Sequence, residues 1–243
     1  MSRDQSRKST ELDSTGPLNS PINHGSMLSA MPHYDAILFD LLTALIDSWS
    51  LWNRVAGGED AGRAWRIEYL RLTYGCGTYR PYEDLVAEAA LASGLGASHA
   101  ARLEASWDEL QPWDDAPALL RDLESAYRLG VVTNCSERLG RRAAARLQAP
   151  FECVVTAERA GNYKPDPAPY RLALRELELP AERVLFVAGS GFDLFGTARV
   201  GLATLWHNRV GLAAPNGAPA PVLQARTLRP MVDNFLALQR NLS

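Results

Sequence analysis

Five short apolar runs restrict what this chain can fold into more than any bulk property does: Asp35–Phe39, Gly130–Thr133, Cys153–Thr156, Val184–Ala188 and Ala203–Trp206. They lack the polar alternation of a strand with one wet face, so they read as strands covered on both sides. Helical periodicity lies between and before the later ones. Leu119, Leu123, Ala126 and Tyr127 share one face; Leu139, Ala143 and Leu147 share another; Tyr170, Ala173, Leu174 and Leu177 share a third. Strands alternating with helices give βαβ units, and hence an α/β fold with a Rossmann-like parallel sheet core.

One interval breaks the alternation. Between Ser48 and Pro112 there are helical signals over 60–74, 82–93 and 98–110, the last two split by Gly94 and Gly96, and no strand. Within 60–74, Trp65, Tyr69 and Leu72 form one stripe, and Arg63, Ile67, Leu70 and Tyr74 form another. We read 49–111 as a helical cap inserted after the first strand, placed to close over that strand's tip and exclude water. The core domain is then 33–48 together with 112–243. Residues 1–32, polar and without periodicity, read as a disordered tail, with Met27 or Met31 equally suited to be the start.

The bulk properties exclude several classes of function. A net charge of −3 offers no basic field for nucleic acid or an anionic membrane. No apolar stretch reaches the roughly 18–20 residues of a membrane span, and the N-terminus has no apolar signal core. Cys76, Cys135 and Cys153 are far apart and without CxxC spacing, so they read as reduced thiols and not as a zinc site. A cytoplasmic protein is expected.

Chemistry-bearing residues fall at the ends of the strands. Asp40 follows Ala36-Ile37-Leu38-Phe39, Thr133-Asn134 follows Val131-Val132, and Asp193 follows Val184-Leu185-Phe186-Val187. Open α/β sheets keep their ligands at such carboxyl ends. Lys164 precedes Pro165, which favours an extended backbone, and Asp166-Pro167 reads as an N-cap with proline at the first helical position. An Asp at one strand tip is ordinarily a helix cap or a solvated loop residue; two carboxylates and an ammonium at neighbouring tips favour a site. A carboxylate attacks carbon only when desolvated and held in line with the leaving group. Lys164 beside Asp40 would keep it ionised and offset repulsion from an anionic substrate. Asn134, with backbone amides at the adjoining helix start, would hold a substrate carboxylate or an ester carbonyl.

In order, these four pieces resemble the motifs of the haloacid dehalogenase (HAD) superfamily. The phosphatases of that superfamily carry a second acid two residues after the nucleophile, where this chain has Leu42, and hold Mg²⁺ with further acids near Asp193. Here Val187-Ala188-Gly189-Ser190-Gly191-Phe192-Asp193 contains one acid, too few hard oxygen ligands for magnesium. The chain is more similar to the L-2-haloacid dehalogenase (type II) branch, from about Tyr34 to Gly211. Phe39-Asp40, Thr133-Asn134, Tyr163-Lys164-Pro165-Asp166, Phe192-Asp193 and Trp206-His207-Asn208-Arg209 carry the likeness.

That resemblance implies a hydrolase without metal or cofactor, acting at C2 of a small carboxylic acid through an aspartyl ester. Asp40 would be the nucleophile, with Lys164 and Asp193 assisting hydrolysis of the ester. Arg63 would be the cap arginine that binds the departing halide, with Ile67 beside it, and Leu42, Thr133, Ser190 and Phe192 would line the substrate pocket. A homodimer is compatible with the branch. The chain departs from the branch at Leu42 (Tyr in the pattern), Ala44 (Thr), Ala188 (Ser) and Ser190 (Asn). Losing hydroxyls at 44 and 188 removes hydrogen bonds expected to orient the nucleophile and the attacking water. Ring opening of L-azetidine-2-carboxylate by the same attack is the alternative; a magnesium-dependent phosphatase and a non-catalytic scaffold are weaker ones. His207 is left without a catalytic role, and Trp49 and Trp52 are assigned to packing.

Overall fold

The structure is a computed structural model and describes residues 33–242. The expected disordered tail, 1–32, lies outside the described residues. Six parallel strands form one sheet: β1 (Ala36–Phe39), β2 (Arg128–Thr133), β3 (Phe151–Thr156), β4 (Val184–Ala188), β5 (Ala203–His207) and β6 (Leu223–Ala225). Their order is β3-β2-β1-β4-β5-β6, so β1 is central and the chain reverses direction across the sheet beside it. Crevices for ligands open at such switch points, outside the carboxyl ends of the strands. Each of the five expected strands is present, with ends differing by at most two residues. The sixth was not anticipated. It has three residues, follows Pro219 and Pro221, and lies at an edge with Leu223 exposed, so it has no apolar run to announce it.

Both faces of the sheet are covered, which is why its strands carry no polar alternation. Ile37 and Phe39 of β1 point into one hydrophobic cluster, and Ala36 and Leu38 into the other. The first cluster continues without a break into a helical insertion between β1 and β2: α1 (Ser48–Ala56), α2 (Glu59–Gly75), α3 (Tyr82–Ala92) and α4 (Ser98–Ala105). Inside the insertion a chain of rings takes over from aliphatic packing. Trp52 lies 4.6 Å from Trp65 and 5.5 Å from Tyr69, and Tyr69 lies 5.5 Å from Tyr82, between centroids. Such tilted and edge-on ring pairs add about 0.5–1.5 kcal/mol each beyond the area they bury.

The remaining helices flank the sheet: α5 (Ala116–Leu123), α6 (Glu137–Ala145), the single turn α7 (Ala157–Ala160), α8 (Pro167–Glu176), α9 (Asp193–Val200) and α10 (Leu228–Leu242). Asp166 caps α8 by accepting from Ala168 N at 2.8 Å, and Pro167 opens the helix. Hydrogen bonds fasten the insertion to the sheet tips. Tyr69 OH donates to the Asn134 carbonyl, Tyr163 OH to the Arg80 carbonyl, and Trp107 Nε1 to the Leu139 carbonyl. No helix among the described residues is long and apolar enough to cross a membrane.

Candidate active site

Asp40 leaves β1 in extended conformation and caps the turn that follows it. Leu41–Leu45 form one π-helical turn, closed by Ile46 N donating to the Leu41 carbonyl at 3.0 Å. The amides at the start of such a turn have no partner within it. Asp40 Oδ2 takes two of them, Thr43 N at 2.9 Å and Ala44 N at 3.2 Å, and also the Thr43 hydroxyl at 2.5 Å. The turn's carbonyls are fixed from outside. Ser48 Oγ donates to Leu42 O, Trp113 Nε1 to Thr43 O at 3.0 Å, and His207 Nδ1 to Ala44 O at 2.9 Å. A carbonyl only accepts, so His207 carries its proton on Nδ1. Burial lowers the His207 pKa, which keeps the ring neutral.

Across the sheet tips, Lys164 Nζ lies 2.7 Å from Asp40 Oδ1 and 3.0 Å from Asp193 Oδ1. Tyr170 OH donates to Asp193 Oδ1 at 2.7 Å, while Asp193 Oδ2 is buried with no hydrogen-bond partner. All three charged side chains are buried, with Lys164 only 4% exposed. Burial alone would raise the Asp40 carboxyl, but the Lys164 charge and the hydrogen bonds from Lys164 and Thr43 outweigh it and lower its pKa. For Asp193 burial prevails: its pKa is raised, with the Asp40 charge adding, against Lys164 and Tyr170. Burial works against the Lys164 ammonium, yet Asp193 and Asp40 hold its pKa above the ordinary lysine range. One cation between two carboxylates thus leaves one carboxylate ionised and the other with greater proton affinity.

The triad floors a cavity of about 110 Å³, which Leu42, Thr133, Asn134, Ser190 and Phe192 also line. An apolar cavity of ~150 Å³ holds benzene, so this one is sized for a small molecule and excludes a bulky one. Thr133 Oγ is buried here without a partner. Asn134 has a further contact that the sequence did not announce. Its amide spans the main chain of Lys164, donating to Lys164 O at 3.0 Å and accepting from Lys164 N at 2.7 Å. The side chain thus braces the lysine loop, with one amide N–H and one oxygen lone pair left over at the cavity it lines.

Arg63 and Ile67 are not in the cavity. Both are exposed on α2, Ile67 by 56%. Leu70 and Tyr74 of the same stripe do line it, together with Arg66. Three residues on from Arg63, Arg66 is turned about 60° around the helix, toward the buried face of Trp65 and Tyr69. Its guanidinium stacks 4.1 Å from the centroid of Trp49 and 5.3 Å from that of Trp52. Nη2 donates to Ser48 Oγ at 2.8 Å, Nη1 has no partner, and no carboxylate among the described residues lies within ion-pair distance. Burial lowers the Arg66 pKa, but a guanidinium remains charged. This is a buried cation without an anion.

Besides Arg66, sequence reasoning missed Thr43, Tyr170 and Gly189. The loss of a hydroxyl expected from Ala44 is offset one residue earlier, by Thr43. Gly189 lets the turn approach: a Cβ there would lie 2.1 Å from Thr43 Oγ and 2.3 Å from Ala44 N. Tyr170 was legible as part of the α8 stripe, and a buried tyrosine hydroxyl calls for a partner. His207 and Trp113 gave no signal, since what they brace is Thr43 and Ala44, far off in sequence.

Comparison with known proteins adds a family to this geometry. A haloacid dehalogenase-like hydrolase family model matches residues 34–201. The chain is 27% identical over 223 residues to (S)-2-haloacid dehalogenase H-109 of Pseudomonas putida, covering 85% of this chain and 100% of the relative. It is 26% identical over 222 residues to the (S)-2-haloacid dehalogenase of Pseudomonas sp. (strain YL), covering 84% and 96%. Among solved structures, the L-2-haloacid dehalogenase RSc1362 superposes with a TM-score of 0.75 at 25% identity, over 86% of this chain and 99% of that one.

Proposed function

Because this chain belongs to the haloacid dehalogenase-like hydrolases, we propose that it displaces the substituent at C2 of a small carboxylic acid by attack of Asp40 and then hydrolyses the resulting ester. The observation that carries this reading is Lys164 Nζ at 2.7 and 3.0 Å from the two carboxylates, beneath a cavity that also holds an unpaired guanidinium.

Asp40 Oδ1 is the attacking atom. It carries one hydrogen bond against three on Oδ2 and so keeps more of its electron density. Attack on C2 forms the Oδ1–C2 bond and breaks the bond to the leaving group with inversion. Water then adds to Cγ, giving a proton to Asp193, whose free Oδ2 and raised pKa suit it as base. Collapse breaks Cγ–Oδ1, and Lys164, hydrogen-bonded to Oδ1, protonates the departing alkoxide and regains a proton from Asp193. The product hydroxyl therefore contains an Asp40 oxygen, and one proton passes to solvent. The insertion acts as a cap that keeps bulk water from the ester until the acid has left. Arg66, in place of Arg63, supplies the cationic wall against which the substrate carboxylate or the leaving anion sits.

Leu42, Leu70 and Phe192 on the same wall favour a second substrate, L-azetidine-2-carboxylate. Its ring nitrogen leaves as a neutral amine, which apolar surroundings penalise less than an anion. Proton NMR of the protein with L- and D-2-chloropropionate and L-azetidine-2-carboxylate tests both readings. Conversion of one enantiomer to the inverted 2-hydroxy acid supports displacement of halide, and conversion of the azetidine identifies an amine leaving group. Conversion of none removes C2 substitution.

A further inference from the structure

The turn Leu41–Leu45 is built more elaborately than capping a strand requires. Its three central carbonyls are held by side chains from three separate segments, Ser48, Trp113 and His207. Its two free amides and the Thr43 hydroxyl all converge on one atom, Asp40 Oδ2, at 2.9, 3.2 and 2.5 Å. The opposing strand end is Gly189, where any side chain would strike Thr43 Oγ and Ala44 N. Three fixed donors on one oxygen help to keep the carboxylate ionised, but they lower its charge density and so do not speed its attack. Their benefit comes later, when charge must gather on that same oxygen.

We propose that this turn is the oxyanion hole of the ester-hydrolysis step and that the Thr43 hydroxyl is a catalytic donor in it. The inference rests on the reading of Asp40 as the nucleophile. In the ester, Oδ1 is bonded to C2 and Oδ2 is the carbonyl oxygen. When water adds to Cγ, the carbonyl electron pair moves onto Oδ2, where Thr43 N, Ala44 N and Thr43 Oγ already point. As the carbonyl reforms, the pair returns, Cγ–Oδ1 breaks and Lys164 protonates the alkoxide. Donors aimed in advance at the atom that gains charge need no reorganisation during the reaction. They act on hydrolysis and not on displacement, in which Oδ1 changes most.

Thr43→Val and Thr43→Ser separate the two steps. With L-2-chloropropionate as probe, we expect Thr43→Val to release one equivalent of chloride per site at a rate within a few-fold of wild type. Steady turnover then slows about 100-fold, the loss typical of one oxyanion donor, and the ester adduct dominates the intact-protein mass spectrum. Thr43→Ser, which restores the hydroxyl, returns turnover to within a few-fold of wild type with little adduct. Turnover of Thr43→Val without adduct, or a burst and steady rate reduced equally, overturns the role of Thr43 and leaves the Asp40 reading in place. Wild-type protein that neither releases chloride from L-2-chloropropionate nor opens L-azetidine-2-carboxylate, and carries no adduct with either, overturns both.

Discussion

The floor of the cavity and its helical wall hold their charged groups by different means. At the floor, Asp40 takes four hydrogen bonds, three of them from residues three or four positions away, and the fourth from Lys164. Lys164 is in turn clamped through its own main chain by Asn134. On the wall, Arg66 makes one hydrogen bond, to Ser48, and is otherwise held by the faces of Trp49 and Trp52. The floor is preorganised by directional bonds to backbone and balanced charge. The wall is preorganised by packing and carries uncompensated charge. A reacting carboxylate must be fixed to fractions of an ångström, whereas an anion-recognising cation needs chiefly to be desolvated and unpaired.

The largest effect should come from the floor. Asp40→Asn removes the proposed nucleophile and should reduce halide release from L-2-chloropropionate by at least about 10⁴-fold, the scale seen when a nucleophile is deleted. Retention of activity would dissolve the distinction between floor and wall. Next is the wall. Arg66→Ala loses a charged hydrogen-bond donor worth roughly 1.5–3 kcal/mol, and kcat/KM should fall about 10–100-fold. Arg63→Ala, on the exposed side, should stay within about 0.5 kcal/mol of wild type. The two arginines are three residues apart, so steady-state kinetics on this pair reports directly which way α2 faces. If Arg63 proved the sensitive one, the wall would have to be rebuilt.

Gly189→Ala sharpens the account of the floor. The added carbon meets Thr43 and Ala44 at 2.1–2.3 Å, and such overpacking typically costs ~1–3 kcal/mol. Urea unfolding should show a lower midpoint with the slope unchanged.

The pH dependence is the gentlest test and divides the floor itself. The Asp193 pKa is raised and the Asp40 pKa lowered. As pH falls, Asp193 therefore takes up a proton first, above the ordinary carboxylate range, while Asp40 stays ionised to below it. Ester hydrolysis should fall about tenfold per pH unit below the Asp193 limb while displacement continues, so the ester should accumulate in mildly acidic buffer. Burst amplitude measured against pH checks this, and coincident limbs for the two steps would contradict it. On stability the two carboxyls act in opposite senses. The contribution from Asp40 is present at neutral pH and lost as pH falls through its lowered pKa. That from Asp193 is present in acid and lost as pH rises through its raised pKa.

The ease of reading each region from sequence follows the same division. Asp40, Lys164 and Asp193 were legible because strand tips converge at a switch point: once the βαβ alternation is recognised, their neighbourhood is nearly fixed. Thr43 was one residue from where a hydroxyl was sought; a π-helical turn shifts the register of its donors, and nothing in Leu41-Leu42-Thr43-Ala44-Leu45 marks it as π rather than α. Asn134 was brought to the site, but its bracing of the Lys164 main chain was not foreseen, because an amide offers both donors and acceptors and nothing in the sequence says which groups meet them. Arg63 and Arg66 could not be separated by pattern. Arg63 lies on the stripe of Leu70 and Tyr74 and Arg66 between the two stripes, about 60° away, and only the packing of Trp52, Trp65 and Tyr69 decides which enters the cavity.

By itself the sequence determined the α/β architecture, five of the six strands, the helical insertion and the strand-tip residues that make up the floor. Each of these follows from local periodicity and chain order, which short-range sterics and hydrophobic burial impose directly. Only the tertiary structure decided the hydrogen-bonded partners of Asp40 Oδ2, the bracing of its turn by Trp113 and His207, the use of Asn134 as a clamp, and the choice of Arg66. Those depend on the rotation of one element against another. Side-chain packing sets that rotation, and no single segment encodes it.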